Sequence, residues 1–354
     1  MAGSQKVTGS SPVGSIFERV ASVNRQVTLA ARPEGFPKDS DFALVESAVP
    51  SPGPGEVLVS AQWLSVDPYM RGRMSTARSY AKPTEVGEPM TGQVVGEVVE
   101  SNDSRFAQGD TVVGQLGWQD YAVARGGMLR KVDPGVAPVQ TALHVLGGTG
   151  LTAYFGLFDV GQPKPGDTVV VSAAAGAVGQ VVGQLARLAG CRTVVGLAGS
   201  PEKVADLKEL YGYDVGIDYK RDDVNAALKE ACPGGVDVYF DNVGGAISET
   251  VFRRLALGAR VPICGQVSQY NLAEPELAPR NLGFLIVFRA QLQGFLVNDY
   301  VHRFPEGLRR LGGWLAEGKL TYREDVTEGL ENAPAAFMGM LRGENRGKAL
   351  VKIR

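Results

Sequence analysis

Between residues 26 and 131, apolar and polar positions alternate in short runs broken by turn residues. The runs "GEVLVSAQWLSV", "TGQVVGEVVES" and "GDTVVGQLGWQDYAVA" each show the period of two of a half-buried strand, and their spacing predicts an antiparallel β-barrel-like domain. The Pro-rich "PSPGPGE" at residues 50–56 reads as a surface turn, because Pro fixes φ and has no N–H to give a ladder. Past residue 146 the rhythm changes. Residues 168–172 read as a strand, 178–189 as a helix, 193–198 as a strand and 201–210 as a helix, with further strands in "DVGIDY", "VDVYFDNVGG" and "ARVPICGQV". Strands alternating with helices predict an α/β unit, a doubly wound parallel sheet of Rossmann type. A last helix over residues 300–317 is followed by "LTYREDV" and "GKALVKI", which alternate like the opening domain. The plan that follows is a leader at 1–22, one domain made of 23–145 and 318–354, and a nucleotide-binding domain at 146–317 inserted between its two parts.

The 354-residue length suits two domains, each with its own core. Lys and Arg number 36 against 38 Asp and Glu, with no long block of either sign, which argues against a nucleic-acid partner. No apolar run of 18 residues is present, so no membrane-spanning helix is expected. The three cysteines, Cys191, Cys232 and Cys264, are far apart and only His144 and His302 accompany them. That set predicts neither a tetrahedral metal site nor a disulfide framework, and places the chain in a reducing compartment, the cytoplasm. The Ser- and Gly-rich start with its single acid, Glu18, reads as a flexible leader, an organelle transit segment being the alternative.

The candidate chemistry begins where the first strand of the inserted domain runs into its helix. The turn reads Ala174-x-Gly176-x-x-Gly179, a dinucleotide fingerprint without its first glycine. The second glycine lets backbone approach a pyrophosphate and the third lets helix pack on strand, whereas the first serves only the tight turn. About 20 residues on, where an NAD site carries an acid for the ribose hydroxyls, the chain has "GLAGSPEK". No carboxylate stands at Ala198, Gly199 or Ser200, and Lys203 follows one helical turn later. A small turn plus a cation favours a 2′-phosphate, hence NADPH, although Lys203 also fits a solvated helix face. Tyr219, at the end of the next strand, is placed to cover the adenine, or to pack half-buried.

Six motifs occur in order: "VDPYMRGRM" at 66–74, "GLTAYFGL" at 150–157, "AAAGAVG" at 173–179, "DNVGG" at 241–245, "CGQVSQYN" at 264–271 and "GFLV" at 294–297. In these the chain resembles the zinc-independent medium-chain dehydrogenase/reductases, in the branch that holds prostaglandin reductases, 2-alkenal reductases and curcumin reductases. The resemblance implies a GroES-like barrel beside the Rossmann domain, a homodimer, and NADPH-dependent reduction of the carbon–carbon double bond of α,β-unsaturated ketones and aldehydes. It puts the diphosphate on Ala177, Val178, Gly179 and Gln180 and the 2′-phosphate on Lys203 and Tyr219. Ribose and nicotinamide would lie near Asn242, Cys264, Gly265, Gln266, Val267, Ser268, Gln269, Tyr270, Phe295, Leu296, Val297 and Asn345. Zinc-dependent relatives would place metal ligands in "SVDPYM" and "GEPMTGQ", and neither stretch contains Cys or His.

Without a metal, negative charge developing on a substrate carbonyl oxygen must meet a hydrogen-bond donor. A neutral tyrosine hydroxyl is suited to this, and the candidates are Tyr69 and Tyr270. Turn packing for Tyr69 and cofactor covering for Tyr270 are the alternatives. The α-carbon proton would come from water or Tyr270. Cys264 reads as a buried structural thiol with no neighbour to activate it, His144 as a domain-junction residue, His302 as a helix-surface residue and Asp67 as a turn former. Quinone reduction and NADPH binding without turnover are the rival functions.

Overall fold

The computed structural model describes residues 23–274, 276–277 and 282–354; the leader at 1–22 lies outside the described residues. The chain opens with a hairpin of β1 (Val23–Leu29) and β2 (Phe42–Ala48), in register from Val23 opposite Ala48 to Leu29 opposite Phe42. Then come β3 (Glu56–Ser65), the short helix α1 (Tyr69–Arg73), β4 (Gln93–Ser101), β5 (Thr111–Gln115), β6 (Tyr121–Arg125) and β7 (Arg130–Lys131). The second unit runs α2 (Gly148–Phe155), β8 (Thr168–Val171), α3 (Gly179–Leu188), β9 (Thr193–Ala198), α4 (Pro201–Glu209), β10 (Val215–Asp218), α5 (Val224–Ala231), β11 (Val236–Phe240), α6 (Gly245–Phe252), β12 (Leu255–Ile263), α7 (Gly283–Phe288), β13 (Gln291–Gly294) and α8 (Phe304–Ala316). The chain ends with β14 (Glu324–Glu328), α9 (Ala333–Leu341) and β15 (Lys348–Lys352).

Strands β8 to β13 form one parallel sheet in the order β10-β9-β8-β11-β12-β13. This is the doubly wound order, and its switch point lies between β8 and β11. Both faces are covered, so each strand supplies apolar residues to two layers. Val169, Val171, Val194, Val238 and Phe240 enter the core beneath α2 and α3, while Val170, Val195 and Tyr239 enter the opposite one.

The other sheet has the order β14-β15-β3-β4-β5-β7. β3 divides one edge between two partners, pairing residues 56–60 with β6 and 63–65 with β15. The terminal segments therefore join the opening strands, but β14 and β15 run parallel to each other, with α9 between them in the chain as the crossover that parallel neighbours need. Trp118 anchors this core, stacked on Phe42 at 6.0 Å and edge-on to Phe337 at 5.8 Å.

The helix expected over 300–317 starts at Phe304, where Pro305 in its first turn sets the entry; Val297–Arg303 are 3-10 turns. α2 went unread because it is apolar on most sides, and a buried helix carries no amphipathic stripe. Among the described residues no helix is long and apolar enough to cross a membrane.

The return of the chain to the first sheet is fixed on α3 by two glutamine side chains. Gln184 donates to the Thr321 carbonyl and accepts from the Thr321 N–H, both at 2.8 Å. Gln180 accepts from the Arg323 N–H at 2.8 Å and donates to its carbonyl at 3.3 Å. Gln184→Leu strips both partners from the Thr321 backbone and is expected to lower stability by about 2 kcal/mol, read as a lower urea midpoint. An unchanged midpoint would remove this ladder from the forces holding the junction.

Candidate active site

A cleft of about 560 Å³ opens at the switch point between the two sheets. Of the expected cofactor residues, Gly176, Ala177, Gly199, Lys203, Tyr219, Val267, Ser268 and Asn345 line it. The turn at its floor is tight. A Cβ on Gly176 would stand 3.1 Å from the Ala173 carbonyl oxygen, and one on Gly179 would lie 2.6 Å from Ala174 Cα. The left-handed residue of the turn is Ala173, at φ 47°; Ala174 needs no positive φ, which is why an alanine can stand where the fingerprint has its first glycine. The N–H groups of residues 177–179 find no protein acceptor among the described residues, as befits the first turn of a helix. Unpaired donors, a positive helix end and no side chain in the way fit a dinucleotide diphosphate.

Gln180 departs from this set. Its N–H bonds the Gly176 carbonyl at 3.0 Å and its side chain is spent on Arg323, so it faces the junction and not the cleft. Ser200 is the N-cap of α4, its Oγ accepting from Lys203 N–H at 3.3 Å. Phe295 packs edge-on against Phe240 at 6.2 Å and, with Val297, borders the core.

At one end of the cleft, Lys203 Nζ donates to the Gly343 carbonyl at 2.7 Å. Burial lowers its pKa, and nearby Lys220 lowers it further. Tyr219 lies over the Gly199 turn, where a Cβ would come within 2.7 Å of its hydroxyl. Arg342, which the sequence did not single out, lines this same end. Asp67 is the one acid among the described lining residues, and it is ion-paired to Lys348 at 2.8 Å. Glu344 pairs with the Arg342 guanidinium at 2.5 Å, whereas Lys203 has no carboxylate partner among the described residues.

The far wall is built on Asp241, which the sequence reading passed over in favour of its neighbour Asn242. The buried carboxylate accepts from Ser172 Oγ at 3.1 Å, Tyr239 Oη at 3.0 Å, Val243 N–H at 2.9 Å, Gly244 N–H at 3.0 Å and Ser248 Oγ at 2.6 Å. Asn242 ties the ends of β8 and β11 through two 2.8 Å bonds to Ser172. The loop carrying residues 264–270 is zipped onto this turn by Cys264 N–H to the Asp241 carbonyl at 2.8 Å and by Ser268 Oγ to the Val243 carbonyl at 2.7 Å. Gln266 reaches back to Asp241 at 3.5 Å, and Gln269 N–H bonds the Gln266 carbonyl. Burial, with Asp241 nearby, pushes the Cys264 thiol up to about 12, which leaves it inert as a nucleophile.

Tyr69 opens α1 behind Pro68. Its hydroxyl accepts from Gln115 Nε2 at 3.4 Å, and burial, then Asp67, raise its pKa well above the ordinary phenol range. The Tyr270 hydroxyl accepts from Gln266 N–H at 3.3 Å, and burial again raises its pKa. Tyr80 is within electrostatic reach of both hydroxyls. It stacks on Arg73, whose guanidinium lies 4.4 Å from its ring and 5.8 Å from that of Tyr69. Tyr80 was not singled out by the sequence. Among the described residues no group of three or more His, Cys, Asp or Glu side chains is arranged to hold a metal ion, and next to Tyr69 the Asp67 carboxylate already accepts from the Lys348 ammonium at 2.8 Å.

Residues 25–132 match the N-terminal domain of oxidoreductase, and residues 177–312 the domain described as zinc-binding dehydrogenase. The chain is 46% identical over 335 residues to an NADPH-dependent curcumin reductase of Escherichia coli, covering 93% of this chain and 97% of that one. It is 46% identical over 330 residues to prostaglandin reductase 1 of Rattus norvegicus, covering 92% and 98%. The crystal structure of CurA from Vibrio vulnificus in complex with NADPH superposes with a TM-score of 0.89 at 45% identity, covering 93% of this chain and 99% of that one. With this fold, this cleft and these relatives, the chain belongs to the medium-chain dehydrogenase/reductases, in their zinc-independent branch.

Proposed function

We propose that this protein reduces the carbon–carbon double bond of α,β-unsaturated ketones and aldehydes with NADPH. The observation that carries the reading is that both Tyr69 and Tyr270 accept an N–H on the hydroxyl oxygen. Each hydroxyl hydrogen is thereby left free to be donated to a substrate carbonyl. Ala177, with the N–H groups of Val178 and Gly179 beside it, would hold the diphosphate, and Lys203, Tyr219 and Arg342, which line the cleft as Ala177 does, the 2′-phosphate. Bound NADPH supplies the hydride that reaches the β-carbon. The tyrosines meet the charge that develops on the carbonyl oxygen, and burial keeps them protonated while they do so. The carbonyl is thus activated without a metal, and the α-carbon takes its proton from water or Tyr270.

The edge strand β13 and the neighbouring helix α7 support a homodimer. β13 ends the parallel sheet with its outer side unpaired among the described residues, while Ile286 and Val287 on α7 are 81% and 59% exposed. An uncovered sheet edge beside an apolar helix face favours pairing with a second copy. Ile286→Asp is expected to halve the mass measured by light scattering, and a variant of undiminished mass would refute this interface.

Tyr69→Phe and Tyr270→Phe each remove one donor to the developing oxyanion. Each should lower kcat for an enone by about 10- to 1000-fold while leaving the KM for NADPH unchanged. Product analysis should find the saturated carbonyl compound; an allylic alcohol would overturn double-bond reduction, and a hydroquinone from a quinone as the preferred reaction would favour the rival. Lys203→Ala should raise the KM for NADPH by about 10-fold or more, with the KM for NADH little affected. Equal effects on the two cofactors would dissociate Lys203 from the 2′-phosphate.

A further inference from the structure

His144 is fully buried where the two sheets meet, directly before α2, with its ring edge-on to Tyr322 at 5.7 Å. Its Nε2 lies 3.3 Å from the Ala177 carbonyl oxygen, in the dinucleotide turn. That nitrogen must carry the ring hydrogen, since two lone pairs would otherwise face each other. Nδ1 is then a bare acceptor with no partner, and 3.9 Å away Glu324 Oε1 is equally unpartnered. The other oxygen of Glu324 accepts from Gln140 Nε2 at 3.3 Å. From β15, the buried Lys348 ammonium faces the same region, held by the Val66 carbonyl at 2.7 Å and by Asp67 at 2.8 Å. Two acceptors thus confront one another across a gap that one proton would close.

We propose that His144 is a positioning residue for the cofactor turn: neutral, it holds the Ala177 carbonyl with an N–H; protonated, it moves toward Glu324 and loosens the turn, so that NADPH binds more weakly in acid. A charge-assisted N–H···O contact settles at roughly 2.7–2.9 Å, about 1 Å shorter than the present gap, and the Ala177 bond already lies at the long end of its range. Burial and Lys348 oppose the incoming proton, while Glu324 and the Ala177 carbonyl favour it. Burial is the largest of these effects and lowers the pKa of His144, so the neutral, turn-holding form prevails at neutral pH, persists through the ordinary histidine value of about 6.5 and is lost only in more acid solution. Because Nε2 and Nδ1 face opposite elements, the ring couples the first turn of α3 to the start of β14.

The inference rests on the assignment of the turn to NADPH, and a calorimetric titration with NADPH tests it without turnover. The dissociation constant is measured from about pH 8 down to about pH 4.5 in steps, over which circular dichroism shows each protein folded, for the full-length wild type, His144→Gln, His144→Leu and Glu324→Gln. At the highest pH His144→Leu, which lacks the donor, should bind about two- to tenfold more weakly than wild type. His144→Gln keeps an N–H of similar reach but does not titrate, and should bind within about twofold of wild type. The 2′-phosphate itself titrates near pH 6, so the decisive quantity is the difference in slope. Wild type should lose several-fold more affinity on acidification than His144→Gln, and Glu324→Gln should lessen that loss. Equal slopes for wild type and His144→Gln, or wild-type affinity in His144→Leu, overturn the proposal. Absence of NADPH binding by the wild type at every pH would instead overturn the cofactor assignment.

Discussion

The structure depends on how the chain, having left the first sheet to build the second, is brought back beside the cofactor helix. Residues 321 and 323 run along α3 as a strand would, but their ladder partners are the side-chain amides of Gln184 and Gln180. An amide presents a donor and an acceptor in the same spacing as a peptide group, so a glutamine on a helix can imitate a neighbouring strand. The Gln184 amide also donates to the Gln180 carbonyl at 2.7 Å, joining the two rungs. Everything that lines the cleft from the C-terminal side, Gly343 over Lys203 and Lys348 over Asp67, follows from where this ladder sets the chain down. Arg346 reinforces it in the same direction by gripping Asp206 on α4 at 2.5 Å.

Asp241 does the corresponding work on the opposite wall. A buried carboxylate without a cation is tolerable only when hydrogen bonds replace its lost hydration. Here two hydroxyls, two backbone N–H groups and Tyr239 do so. The energetic stake is high, so the turn at 243–244 has little freedom, and the 264–270 loop bonded to that turn inherits its position. Tyr270 is thus placed by a carboxylate it does not touch. Its hydroxyl is oriented locally by the Gln266 N–H, two links away from the same anion.

What the sequence disclosed and what it withheld divide along physical lines. The strand at 193–198 was legible to the residue because it is apolar on both faces and bounded by turn and cap residues. The fingerprint was legible because Gly176 and Gly179 answer local steric demands that any βα turn of this kind imposes. The hairpin at 23–48 was read only in part, since β2 is largely exposed and its pattern does not alternate. Gln180 was assigned to the diphosphate by position in the motif, whereas its amide has a partner 143 residues away. Lys348 acts on Asp67 from the other end of the chain and Asp241 joins Ser172 to its own turn, while Tyr80 meets Arg73 across a loop without periodicity, so no spacing rule announces them.

The cleft separates two kinds of electrostatics, and the separation is itself an argument about chemistry. One end holds Lys203, which has no carboxylate partner among the described residues, and Arg342, which is paired with Glu344 at 2.5 Å. Asp67, the one described acid in the lining, is paired with a buried lysine, burial raises the pKa of Tyr69 and of Tyr270, and the Arg73 guanidinium stands 5.8 Å from the Tyr69 ring. A neutral hydroxyl is cheap to bury when its oxygen already accepts an N–H, and its dipole gains most when charge arrives on the carbonyl. Under the proposed function Lys348 belongs to the scaffold: by pairing with Asp67 at 2.8 Å it offsets the negative charge that would otherwise oppose an enolate next to Tyr69.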